Sequence, residues 1–178
     1  MTTTIDYALM AGHAYRTTRD EINWISVPQG WSPFFPVPDP TTPTFPTTSG
    51  FEAISFQRGT DIVISYAGTY EKDITGDIFA DIGLATGVGS AQLLQAAEYY
   101  LKVKAENSNA TSITFTGHSL GGGLAALMGV FFGQQAVTFD QAPFARSAKL
   151  NVLTPDIAAN LKADLLASGH TEVELSGL

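Results

Sequence analysis

Cysteine is missing from all 178 residues, which excludes disulfides, thiolate zinc sites and a cysteine nucleophile together. Basic residues are scarce as well. Lys and Arg number 9 against 17 Asp and Glu, for a formal charge of −8 and a pI near 4.6. A surface of that sign repels phosphate backbones, so nucleic acid is not an expected partner. It gains nothing electrostatically at an anionic membrane either. No apolar run reaches membrane-spanning length. Met1 to Tyr15 carries Asp6 and His13 and lacks the basic start and apolar stretch of a classical signal peptide. An extracellular home would therefore require an address elsewhere, such as a C-terminal portion, and the cytoplasm is the alternative.

What is present suits one compact globular domain over residues 1–178, with 44% hydrophobic and 15% charged residues. Ile5, Ala8, Leu9 and Gly12 fall at helical spacing and predict an amphipathic helix over about 4–16. Residues 28–50 hold Pro33, Pro36, Pro38, Pro40, Pro43 and Pro46 among Trp31, Phe34, Phe35 and Phe45, which predicts a loop. Its aromatics would either line a substrate mouth or pin the loop to the body. Phe51–Gln57 and Asp61–Tyr66, joined through Gly59, read as a hairpin. Ala91 to Lys104 reads as a helix, Ser112 to Thr116 as a buried strand, and Leu120 to Phe132 as a helix of small apolar residues. Ala136 to Phe139 is the next strand, Pro155 to Leu166 a helix, and Thr171 to Leu175 a closing strand. Strands alternating with helices predict an α/β fold with a mostly parallel central sheet covered on both faces.

The chemistry is concentrated in Gly117-His118-Ser119-Leu120-Gly121, a G-x-S-x-G pentapeptide placed between a predicted strand and a predicted helix. A turn that sharp strains the serine backbone, and small residues two before and two after relieve the crowding. Oγ is then pushed above the sheet at a helix N-terminus, where negative charge is favoured. Ser119 is the expected nucleophile. His118 cannot reach back to it from within the same turn and is expected to pack beside it. An oxyanion needs two donors. The Leu120 N–H supplies one, and the Thr69 N–H, at the end of Ile64-Ser65-Tyr66-Ala67-Gly68-Thr69, is the expected second.

Taken with their surroundings, these residues resemble the class 3 lipase and phospholipase A1-like α/β-hydrolases. Ile113 to Gly122 is similar to that family's nucleophile turn, and Ser65 to Thr69 to its oxyanion strand. Asp73, Asp77 and Asp81 resemble the acidic stretch that follows. Ala136 to Pro143 looks like the strand after the turn's helix, which ends in an Ala-Pro corner. The similarity covers about residues 51–146 and looks closest to the lipase-like modules of secreted bacterial proteins. It implies an α/β-hydrolase that cleaves carboxylic esters through a Ser119 acyl-enzyme, with no metal and no cofactor.

The family's order of serine, then acid, then histidine leaves the triad open. His170 is the one histidine after Ser119, His13 and His118 being the others. Asp156, Asp140 and Asp164 are the candidate acids, with Asp156 and His170 the pair assigned here. Asp156 equally suits a helix first turn. In the resembling family the acid and base lie well beyond the Ala-Pro corner, so a C-terminally truncated domain is the other expectation. Its base would come from a further segment or through self-association. The expected partners are an ester or lipid substrate and, transiently, the lipid interface that presents it. A non-catalytic binding module and an acyltransferase using the same serine are the competing functions. Asp73, Asp77 and Asp81 recur every four residues, which marks a solvated helix face rather than a calcium loop.

Overall fold

The structure, a computed structural model, describes residues 1–15, 20, 22, 24–35, 47, 49–68, 87–141, 154–176 and 178, with side chains outside the description at 87–90 and 154–156. Asp73, Asp77, Asp81, Thr69 and Phe45 fall outside the described residues.

Helix α1, Thr4–His13, opens on a capping box. The Thr3 hydroxyl accepts from the Asp6 N–H while the Asp6 carboxylate accepts from the Thr3 N–H, so two otherwise orphaned donors are satisfied. It is shorter than the 4–16 expected. Strand β1, Ser32–Phe34, pairs antiparallel with β2, Ala53–Arg58, which pairs antiparallel with β3, Asp61–Tyr66. Strand β4, Ser112–His118, lies parallel to β3, and β5, Gln135–Phe139, parallel to β4. Helix α2, Gly87–Glu106, lies between β3 and β4 in the chain, and α3, Leu120–Phe131, between β4 and β5. Helix α4, Thr154–Ala167, follows β5.

The order β1-β2-β3-β4-β5 makes a mixed α/β sheet rather than the mostly parallel one expected. The two-residue link Gly59-Thr60 explains the antiparallel half. Gly59 sits at φ 62, as a hairpin turn of that length requires, and so short a link cannot reverse the chain into a parallel neighbour. Residues 32–34 also depart from the expected loop. Pro33 is tolerated there because β1 is an outer strand of the described sheet, where its missing N–H breaks no second ladder. Trp31 ties this segment down, buried beneath the Arg58 guanidinium 4.4 Å from its ring centroid.

Alternation along β3 divides the core. Ile62, Ile64 and Tyr66 pack with Leu93, Ala96, Ala97 and Tyr100 of α2 and Leu124, Ala125 and Met128 of α3. Val63 and Ala67 point to the opposite face, where they meet Met10 of α1, together with Ala14 and Trp31. Leu161 and Leu165 of α4 join the first cluster. The closing segment is a correction. Thr171 to Leu175 forms turns, not a strand, because Thr171-Glu172-Val173-Glu174 is itself a capping-box pattern. The Thr171 N–H donates to Glu174 Oε2 at 2.7 Å, and the Leu175 N–H returns to the Thr171 carbonyl, burying Leu175.

Three tyrosines in the first cluster give the fold an alkaline limit. The Tyr66 hydroxyl donates to the Ala96 carbonyl at 3.0 Å, and the Tyr99 hydroxyl meets Ser55 Oγ at 3.0 Å. Burial pushes both phenols, and more mildly Tyr100, above their ordinary ionisation range. Above about pH 10 the unfolded chain loses these protons while the folded one keeps them. The unfolded state then binds fewer protons, so stability present below that pH is lost as pH rises. The thermal midpoint should fall steeply between pH 10 and 11, each phenol contributing up to about 1.4 kcal/mol per pH unit. Tyr99→Phe should flatten that slope, which a melting series from pH 8 to 11 measures.

Candidate active site

Ser119 joins β4 to α3 at φ 56 and ψ −126. A residue with a Cβ is seldom found there, and holding it costs on the order of 1–3 kcal/mol. The surroundings enforce it. The Ser119 N–H donates to the Phe139 carbonyl at 3.1 Å, and the Ser119 carbonyl accepts from the Gly123 N–H at 3.1 Å. The turn closes only because two positions lack side chains. A Cβ on Gly117 would lie 2.4 Å from the Gly121 carbonyl, and one on Gly121 would lie 2.1 Å from the Tyr66 oxygen. The end of β3 therefore rests directly against the first turn of α3.

Although Ser119 occupies the N-cap position, its side chain makes no capping bond. Ser119 is half-buried, and its hydroxyl is unengaged among the described residues. Beside it, Leu120 begins α3, so its N–H has no partner inside the helix and lies at the positive end of the helix dipole. Gly68 runs past this N–H. A Cβ there would sit 3.5 Å from the Leu120 nitrogen. From the other side, Asp140 leaves β5 at φ 41, and Gln141 packs against Gly122, where an added Cβ would come within 3.0 Å of Gln141. The Thr138 hydroxyl donates to Gln141 Oε1 at 2.7 Å and holds this corner.

Among the candidate residues, Ser119, Leu120 and Asp140 come together at the turn, since Asp140 directly follows the Phe139 that binds the Ser119 N–H. Thr69, one residue past Gly68, is outside the described residues. Asp156 falls in the first turn of α4 with its side chain outside the description, and Asp164 is exposed on the same helix. His170 follows α4 with Nδ1 3.9 Å from Glu174 Oε2. That carboxyl is held below the usual carboxylate range by the Thr171 N–H and hydroxyl, with His170 adding a smaller pull. All three histidines are described. His13 Nδ1 meets the Ile25 carbonyl, His118 Nδ1 lies 3.2 Å from the Tyr15 hydroxyl, and none bonds the Ser119 hydroxyl. Tyr15 is the neighbour that sequence reasoning missed. It reaches the turn across 103 residues, a separation that carries no local signal.

A family profile described as phospholipase-like, the Tle-like phospholipase domain, matches residues 6–164. The chain belongs to this family. The match takes in most of α1 and all five described strands, so the turn around Ser119 lies inside the Tle-like phospholipase domain. The chain is also 36% identical over 121 residues to an extracellular phospholipase A1 of Serratia liquefaciens. That alignment covers 68% of this chain and 36% of the relative, so the chain matches about a third of that protein's length.

Proposed function

We propose that this Tle-like phospholipase domain is the nucleophile-bearing part of an α/β-hydrolase that cleaves carboxylic esters of lipids, phospholipids included, in the manner of a phospholipase A1. One observation carries the reading: Ser119 is held at φ 56 between a strand and a helix, its hydroxyl unengaged among the described residues and the Leu120 N–H beside it. In this mechanism Ser119 Oγ attacks the acyl carbon and the alcohol leaves. Negative charge collects on the former carbonyl oxygen, where the N–H groups of Leu120 and Thr69 receive it. Water then hydrolyses the acyl-enzyme. The relative's printed name supports an extracellular setting and a lipid substrate.

A fluorophosphonate probe tests the nucleophile. Its adduct should map to Ser119, and a folded chain that takes up no probe there would refute the assignment. The same probe addresses the base. Slowed labelling of His170→Ala would assign the proton transfer to His170, and a matching slowing in Asp156→Asn would assign its acid. Unchanged labelling would move the base to another segment or a second copy. A second reading, a binding module without catalysis, is favoured by the lack of an imidazole at the Ser119 hydroxyl. Hydrolysis of a p-nitrophenyl ester by the chain, lost on Ser119→Ala, excludes it.

A further inference from the structure

We infer that Tyr15 is a positioning residue for Ser119, its hydroxyl fixing the peptide group that carries the nucleophile; this rests on the ester-hydrolase reading above. The peptide in question joins His118 to Ser119. Its N–H donates to the Phe139 carbonyl at 3.1 Å, and its carbonyl, that of His118, accepts from the Tyr15 hydroxyl at 3.1 Å. Rotation of this plane is the motion by which φ of Ser119 would relax from 56. A strained residue keeps its conformation only where neighbours over-determine it. Here the plane is gripped at both ends by elements distant in sequence.

The phenol is itself well held. His118 Nδ1, 3.2 Å away, donates to the phenol oxygen in the tautomer that carries its proton there. That leaves the phenol's hydrogen for the carbonyl. The two rings pack edge to face at 6.2 Å between centroids. Behind Tyr15, Met10 and Ala14 are buried against the sheet, and the Ser65 hydroxyl donates to the Met10 carbonyl at 3.1 Å, so the exit of α1 is anchored to β3. The hydroxyl also sits in the corner between Gly68 and the turn, 2.6 Å from where a Cβ on Gly68 would lie. It thus borders both the nucleophile's peptide and the strand exit that leads to Thr69.

Tyr15→Phe removes one oxygen and leaves the ring packing. The expected result is a kcat reduced on the order of ten- to a hundredfold, as misplacement of a reacting group produces. KM should change by less than about twofold. Fluorophosphonate labelling of Ser119 should reach the same final occupancy as in the unaltered chain, but more slowly. A merely structural role would instead lower the final occupancy at an unchanged rate, and that outcome overturns the inference. So does Tyr15→Phe with unaltered kcat and labelling rate while Ser119 still takes up the probe. Failure of the unaltered chain to label at Ser119 sinks the ester-hydrolase reading, and the inference with it.

Discussion

Alanine at position 119 should reduce ester hydrolysis by about four to six orders of magnitude while leaving the fold as stable as before. The first half follows from the proposed role of Oγ as the bond-forming atom. The second follows from the geometry. The hydroxyl caps nothing and has no partner among the described residues, so its removal strands no donor or acceptor. Alanine keeps the Cβ and therefore the strain at φ 56. Glycine does not. Ser119→Gly should be equally inactive yet more stable by roughly 1 kcal/mol, since a residue without Cβ adopts positive φ freely, less the entropy it adds to the unfolded chain. A pair of variants that match in inactivity and differ in urea midpoint would separate the energy stored in the turn from the chemistry proposed for it. Hydrolysis surviving in both would refute Ser119 as nucleophile.

The second large effect is structural. Gly121 lies in the first turn of α3, where helix propensity alone says that alanine should gain about 1 kcal/mol. The opposite is expected, a loss of about 3–5 kcal/mol in Gly121→Ala. Its Cβ would lie 2.1 Å from the Tyr66 oxygen and 2.7 Å from the Tyr66 carbonyl carbon. Both are backbone atoms of β3, a strand paired on both edges, so nothing can swing aside. Gly122→Ala provides the contrast. Its nearest neighbours are Gln141 Cβ at 3.0 Å and the Gly117 carbonyl oxygen at 3.1 Å, contacts that yield with shifts of a few tenths of an ångström. Urea denaturation should rank Gly121→Ala well below Gly122→Ala, and equal midpoints would contradict the close approach of β3 to α3.

The parts of this molecule legible in the sequence are those specified by neighbours in the chain. Gly59 between two β-prone runs gave the hairpin, and the helical spacing after Ala91 gave α2, whose buried face runs through Leu93, Ala96, Ala97, Tyr100 and Val103. Gly117, Ser119 and Gly121 signalled a cramped strand-to-helix turn, and the positive φ of Ser119 lies where that pattern put it. Two elements were misread because a local bond or an edge position overrode the pattern. Thr171 to Leu175 alternates like a strand, but Glu174 folds back onto the Thr171 N–H. Pro33 argued against a strand, yet β1 has no second partner among the described residues for it to deprive. Tyr15 was invisible for another reason. Its value lies in a hydroxyl aimed at a carbonyl 103 positions later, and nothing near residue 15 records that.

Spatial order in the described sheet repeats chain order, β1 through β5, with no strand inserted between two earlier ones. A polypeptide arranged this way can assemble by accretion as it emerges from a ribosome or a secretion channel, each new strand docking on the last one laid down. The tight β2–β3 hairpin closes the shortest loop and is the natural seed. The turn bearing Ser119 is then completed only when β5 arrives to bind its N–H. The hydroxyl proposed as nucleophile takes its posture late, once the sheet beneath it has been built.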